Sequence, residues 1–450
     1  MAAISGFPYF EVQFTKNGEV FAPDEVKQVV DFAGSGEVTD LFVISHGWNN
    51  DIDDARQLYR KLLARLRDRL DSGAVQGLAG RKFAVLAVLW PSKKFTEKEL
   101  IPSGAASAGG LVSEEDVREE IDRVKDAFDS PTAEEDLERA KALVADLEDD
   151  PAARDEFARL LRSLLPPEAE ADDEETPPAF FDLPGDDLLK ELSVPVLAAP
   201  PVTGALDVGA AAAGIGEAGG DQPAGPQGGA VGFGLLSGIK GGAFKLLNLT
   251  TYYQMKERAG TVGRNGLNPV LRKLRERRPD LKLHLIGHSF GGRLVTAATL
   301  GPDGQAPVQP DTLTLLQAAF SHYGFSQDYE PGKNGFFRKI VTEGRVKGPV
   351  LITCTLNDEA VGKAYPIASQ LAGQVAAGLG DKNSRYGGIG ANGAQKTKEA
   401  IDGKLLPAGG AYQFAAGKLY NLNADAFIGN HSDISKNEVA HAVLTSVATT

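Results

Sequence analysis

The chain has 450 residues, 42% of them hydrophobic, so either two domains or one ample core with a large insertion is expected. A single cysteine, Cys354, excludes an intramolecular disulfide, and the opening residues lack the basic and apolar regions of a signal peptide. No uncharged apolar run nears the ~20 residues that cross a bilayer, so a cytoplasmic protein is expected, although leaderless export would leave no trace. The net charge of -14 is uneven: residues 111–193 hold 28 acidic against 9 basic side chains, and no basic stripe suited to nucleic acid stands out.

In chain order, residues 8–21 read as a hairpin, with Tyr9 to Phe14 and Glu19 to Phe21 as strands around a Lys16-Asn17-Gly18 turn. The apolar run 40–46 suits a buried parallel strand and leads into His46-Gly47-Trp48. A helix follows, capped at Asp51 or Asp53, with Leu58, Leu62, Leu63, Leu66 and Leu70 on one face. Residues 82–90 form another buried strand, which completes a βαβ unit. The alternation then breaks for about 150 residues. Three acidic amphipathic helices are expected there, the first two behind capping boxes at Ser113-Glu-Glu-Asp116 and Thr132-Ala-Glu-Glu135, the third around Phe157, Leu160, Leu161 and Leu164. Residues 168–201 read as an exposed acidic linker, and residues 204–242 as a Gly/Ala-rich insertion. A crossover helix runs through Phe244, Tyr252, Met255 and Leu274. Further buried strands are expected at 281–286, 313–320 and 348–355, a last one at 411–420, and a closing helix at 436–447.

Residues 281–286 run into Gly287-His288-Ser289-Phe290-Gly291, and a small apolar helix follows. A strand that turns this sharply into a helix strains the serine backbone and needs small neighbours two places away on each side. The pattern resembles the nucleophile elbow of the α/β-hydrolases. The resemblance covers residues 8–95 and 245–450 and implies an α/β fold with a mostly parallel central sheet flanked by helices. It divides the chain into core (1–95), acidic helical and Gly-rich cap (96–243) and core again (244–450).

A neutral serine hydroxyl needs a base within hydrogen-bond reach, oriented by a carboxylate. The resemblance assigns Ser289 as nucleophile, Asp358 as the acid after a later strand, and His431 as the base in the polar loop before the terminal helix. Asp328, after an earlier strand, is the competing acid. Glu359 would point elsewhere, Asp433 is too near His431 in sequence, and His441 lies in a helical pattern. His46-Gly47-Trp48 resembles the oxyanion motif of lipases and esterases, with the Trp48 and Phe290 amides as donors and Gly47 permitting the turn. His46, His288 and His322 are expected on the substrate side. His284 alternates within its strand and reads as structural. No HExxH motif, cysteine pair or phosphate-binding glycine loop occurs, so neither metal nor nucleotide cofactor is expected.

The expected activity is hydrolysis of a carboxylic ester, of lipid or small-molecule type, through an acyl-serine; a thioesterase or amidase would use the same parts. The competing class is a non-catalytic interaction protein on a hydrolase scaffold. Protein partners for the acidic helices, or peripheral membrane contact through the Gly/Ala-rich stretch, are the further uses the insertion allows.

Overall fold

The computed structural model describes residues 2–48, 50–92, 112–170, 174–194, 237–358, 371, 382 and 384–450, without the side chains of residues 168 and 170. Among the described residues nine strands form one sheet in the order β1-β2-β4-β3-β5-β6-β7-β9-β8. They are β1 (Ala2–Ile4), β2 (Phe7–Gln13), β3 (Asp40–Ser45), β4 (Phe83–Leu89), β5 (Lys282–His288), β6 (Thr312–Leu316), β7 (Val350–Cys354), β8 (Ala400–Lys404) and β9 (Leu419–Asn423). Only β1, which pairs antiparallel with β2, breaks the parallel arrangement.

Strands β3, β4, β6 and β7 are buried along their whole length, because helices cover both faces and leave no side for polar residues. Alternate side chains divide between two layers. Phe42, Ile44 and Ile286 face the helices Ile52–Asp71 and Asn437–Ala448. Leu41, Val43 and Leu285 face Pro23–Gly34, Asn268–Arg277 and Phe290–Leu300. At the amino ends of the strands, His284 bridges Asp40 (2.9 Å) and Thr312 (2.9 Å), the structural role its sequence position suggests. Burial alone would raise the Asp40 pKa, but hydrogen bonds from His284, Arg81 and Thr39 hold it well below the usual carboxylate range.

Four expectations need correction. The Asn17-Gly18 turn forms, but it closes only the single bridge Phe14–Val20, because β4 lies along β2 and Pro23 opens a helix that composition had not suggested. Thr132 accepts no cap hydrogen bond; its hydroxyl donates instead to Asp136 (2.7 Å). The last strand begins at Leu419, not 411, since Tyr412 and Phe414 pack on each other and Phe414 on Tyr420 as a loop, and β8 forms the sheet edge beyond it. The fourth concerns residues 168–201.

That segment is not an exposed linker where it is described. Helix Gly185–Leu192 buries Leu188, Leu189 and Leu192, and Glu174, Glu175 and Thr176 are only 3–4% exposed. Glu175 reaches Lys256 (3.3 Å) and Arg293 (3.3 Å) and accepts the Ser321 amide (2.7 Å). Glu257 lies 3.7 Å and 3.6 Å from the same two cations. Charges without partners are excluded from a core, so the acidic composition mispredicted exposure: these carboxylates meet cations from the helices Gly238–Thr261 and Phe290–Leu300. Helices Glu114–Val124 and Pro151–Ser163 also pack on Gly238–Thr261, so the acidic region shares the core's apolar cluster. The Gly/Ala-rich stretch expected to be a flexible insertion lies outside the described residues up to residue 236. Glu175→Ala removes a buried carboxylate that two buried cations share. It is expected to cost about 3 kcal/mol, read as a lower urea midpoint at unchanged m value.

Candidate active site

Strand β5 ends at His288, and the helix Phe290–Leu300 begins at once, so Ser289 must turn the chain within one residue. It does so at φ 56°, ψ -128°, a conformation non-glycine residues rarely adopt. The turn closes because its neighbours have no side chains. A Cβ on Gly287 would lie 2.3 Å from the Gly291 oxygen, and one on Gly291 would lie 2.3 Å from the Ser45 oxygen at the end of β3. The Ser289 amide donates to Leu316 O (3.1 Å), and its carbonyl accepts from Ala319 (3.0 Å), which ties the turn to the end of β6. Phe290 opens the helix, so its amide is one of the first-turn donors without an acceptor inside the helix.

The loop after β3 lies directly over this turn. A Cβ on Gly47 would come within 2.5 Å of Ser289 Cβ, so the loop approaches the serine only through glycine. His46 holds the loop from behind. Its Nε2 accepts the Trp90 amide (3.3 Å), its Nδ1 donates to Gly47 O (3.0 Å), and its carbonyl accepts the Trp90 indole N–H (3.0 Å). Trp48 packs edge-on against Phe290 (6.0 Å between centroids), and Tyr252 of the helix Gly238–Thr261 touches the same ring (5.1 Å).

Asp358, in the loop after β7, is fully buried, and its Oδ2 accepts the His431 Nδ1–H at 2.8 Å. With the proton on Nδ1, the Nε2 of His431 keeps its lone pair. The two loops are joined by side chains that sequence reading passed over. Asn357 Nδ2 donates to Asp425 O (3.1 Å) and Ile428 O (2.8 Å). Asp425 Oδ1 accepts the Thr355 hydroxyl (2.8 Å) and the Leu356 amide (2.9 Å). Short polar residues after a strand signal a turn, but nothing local reveals that two such turns will pair.

The other candidates lie elsewhere. Asp328 is exposed, and its amide donates to Asn334 Oδ1 (3.1 Å). Asp433 accepts the Gly429 amide (3.1 Å) and pairs with Lys436, which closes the loop that carries His431. His441 is packed, with its Nε2 donating to Gly410 O (2.8 Å). Glu359 lies outside the described residues. His46, His288 and His322, expected on the substrate side, are all buried. His322 Nδ1 accepts from Asn392 (2.9 Å), and His288 Nε2 donates to the His431 carbonyl (2.9 Å). Among the described residues no cluster of histidine, cysteine and carboxylate side chains is suited to a metal.

Burial pushes the pKa of His46 down to about 4, and those of His288 and His322 down to about 3. All three are therefore neutral in the folded chain near neutral pH, whereas the unfolded chain protonates them near ~6.5. Their stabilising effect is complete above that value and is lost as pH falls to about 4 for His46 and about 3 for His288 and His322, since the unfolded state takes up protons first. Urea unfolding at pH 7 and 5.5 should show a loss of about 1 kcal/mol for each histidine. Equal stability at both values would show that they are not held neutral. Compared with models of known protein families, with curated proteins and with solved structures, the chain matches none.

Proposed function

We propose that the chain is a serine hydrolase of the α/β-hydrolase type that cleaves a carboxylic ester through an acyl-Ser289 intermediate. The observation that carries this reading is the Ser289 backbone, held at φ 56° between a parallel strand and a helix. Such strain persists only where the surroundings over-determine it, and it is the conformation that lifts a nucleophile clear of its sheet. The 2.8 Å bond between His431 and Asp358, and the glycine contact between the β3 loop and Ser289, support the same reading.

In this mechanism the Ser289 hydroxyl attacks the ester carbonyl carbon while its proton passes to His431 Nε2. Asp358 holds the imidazole in the required tautomer and stabilises the imidazolium. The Phe290 and Trp48 amides receive the oxyanion, and Gly47 permits the loop's approach. Collapse returns the proton to the leaving alkoxide, and a water deprotonated by His431 then releases the acid. The acidic helices serve as a cap packed on the helix Gly238–Thr261, whose Tyr252 reaches the residue after the nucleophile.

A fluorophosphonate probe tests the proposal. Labelling of the wild type, abolished in Ser289→Ala, is the expected result. Asp358→Asn should retain the fold and lower kcat by about 10³ to 10⁴, because the amide favours the wrong tautomer. Absence of both labelling and ester hydrolysis in folded wild type would instead favour a non-catalytic scaffold that binds a partner through its acidic helices.

A further inference from the structure

We propose that His288, which precedes the nucleophile, is a positioning residue for His431. The inference rests on the catalytic reading of Ser289 and His431. The His288 ring is buried, lies 4.8 Å from the His431 ring between centroids, and donates from Nε2 to the His431 carbonyl at 2.9 Å. A carbonyl only accepts, so the proton of the neutral imidazole sits on Nε2.

The consequence is a second hold on the histidine loop. His431 lies in irregular chain between β9 and the helix Asn437–Ala448, in a stretch where Gly429 and Asn430 are exposed. Asp358 grips its ring from the β7 side, and His288 grips its main chain from β5, the strand that carries Ser289. A ring held at one nitrogen still swings when its backbone shifts. Pinning the carbonyl to the residue beside the nucleophile ties the position of the base to that of Ser289 itself. A 1 Å misplacement of a catalytic group costs up to ~10²-fold in rate, so one hydrogen bond at this point carries more kinetic than thermodynamic weight.

The chemistry also requires that the donor stay uncharged. His431 becomes an imidazolium during turnover, and a second cation beside it would oppose that step. Burial keeps His288 neutral, with the coulombic effect of His431 acting in the same direction, so it donates without competing for the proton.

The test compares His288→Leu, His288→Met and His288→Gln in the full chain, with p-nitrophenyl butyrate as probe and with hydrogen–deuterium exchange over residues 428–434. Loss of the donor should lower kcat by 10- to 100-fold in the Leu and Met variants while KM stays within twofold. Gln, whose amide offers an N–H at similar reach, should recover kcat to within about fivefold of wild type. Exchange should quicken in the apolar variants and return toward wild type in Gln. A kcat within twofold of wild type in whichever apolar variant folds, or a Gln variant no better than the apolar ones, would overturn the proposal. If the wild type neither labels nor hydrolyses the ester, the catalytic reading fails. The exchange data then still decide whether His288 holds the loop, since they require no turnover.

Discussion

The constraint on which this structure turns is the absence of side chains where β5 meets its helix. The ends of β3 and β5 approach so closely that the Gly291 position touches the Ser45 carbonyl and the Gly47 position touches Ser289. Any larger residue at these points would push the strand, the helix and the β3 loop apart. Their packing in turn holds Ser289 in a backbone conformation it would not adopt alone. The strain is local, but the buried parallel strands on either side, β3 and β6, supply the packing that maintains it.

Around that fixed point the candidate site is assembled from loops at the carboxyl ends of four strands. The β3 loop is braced by the ring and carbonyl of His46 against Trp90. The β7 and β9 loops are laced together by Asn357 and Asp425, and their product is the buried bond between Asp358 and His431. The histidines nearest the turn thus divide by burial. His46 and His288 are kept neutral and hydrogen-bond to main chain, whereas His431 is paired with the Asp358 carboxylate.

The acidic region is attached to this core by charge as well as by apolar packing. An acidic segment, read by composition as solvated, instead places Glu175 between Lys256 and Arg293. Arg293 lies on the same helix that Ser289 begins, so the attachment point and the strained turn share one rigid element. The acidic region is thereby packed on the core as part of one apolar cluster.

The elements legible from the amino-acid order alone were those encoded over a few residues. Continuous apolar runs announced β3 and β4, alternation announced β5, leucines on one face announced the helix Ile52–Asp71, and the glycines around Ser289 announced the sharp turn. The resemblance to the α/β-hydrolases also pointed to Asp358 and His431, which a hydrogen bond joins in the structure. Tertiary structure alone decided which polar groups became partners. Asn357 meets Ile428 across 71 positions, Ser321 meets Glu175 across 146, and His288 meets the His431 carbonyl across 143. A backbone turn is dictated by sterics between neighbouring residues and so is written locally. The partner of a buried polar group is selected only when distant segments are brought together by apolar packing, because only then does leaving it unpaired carry its full desolvation cost.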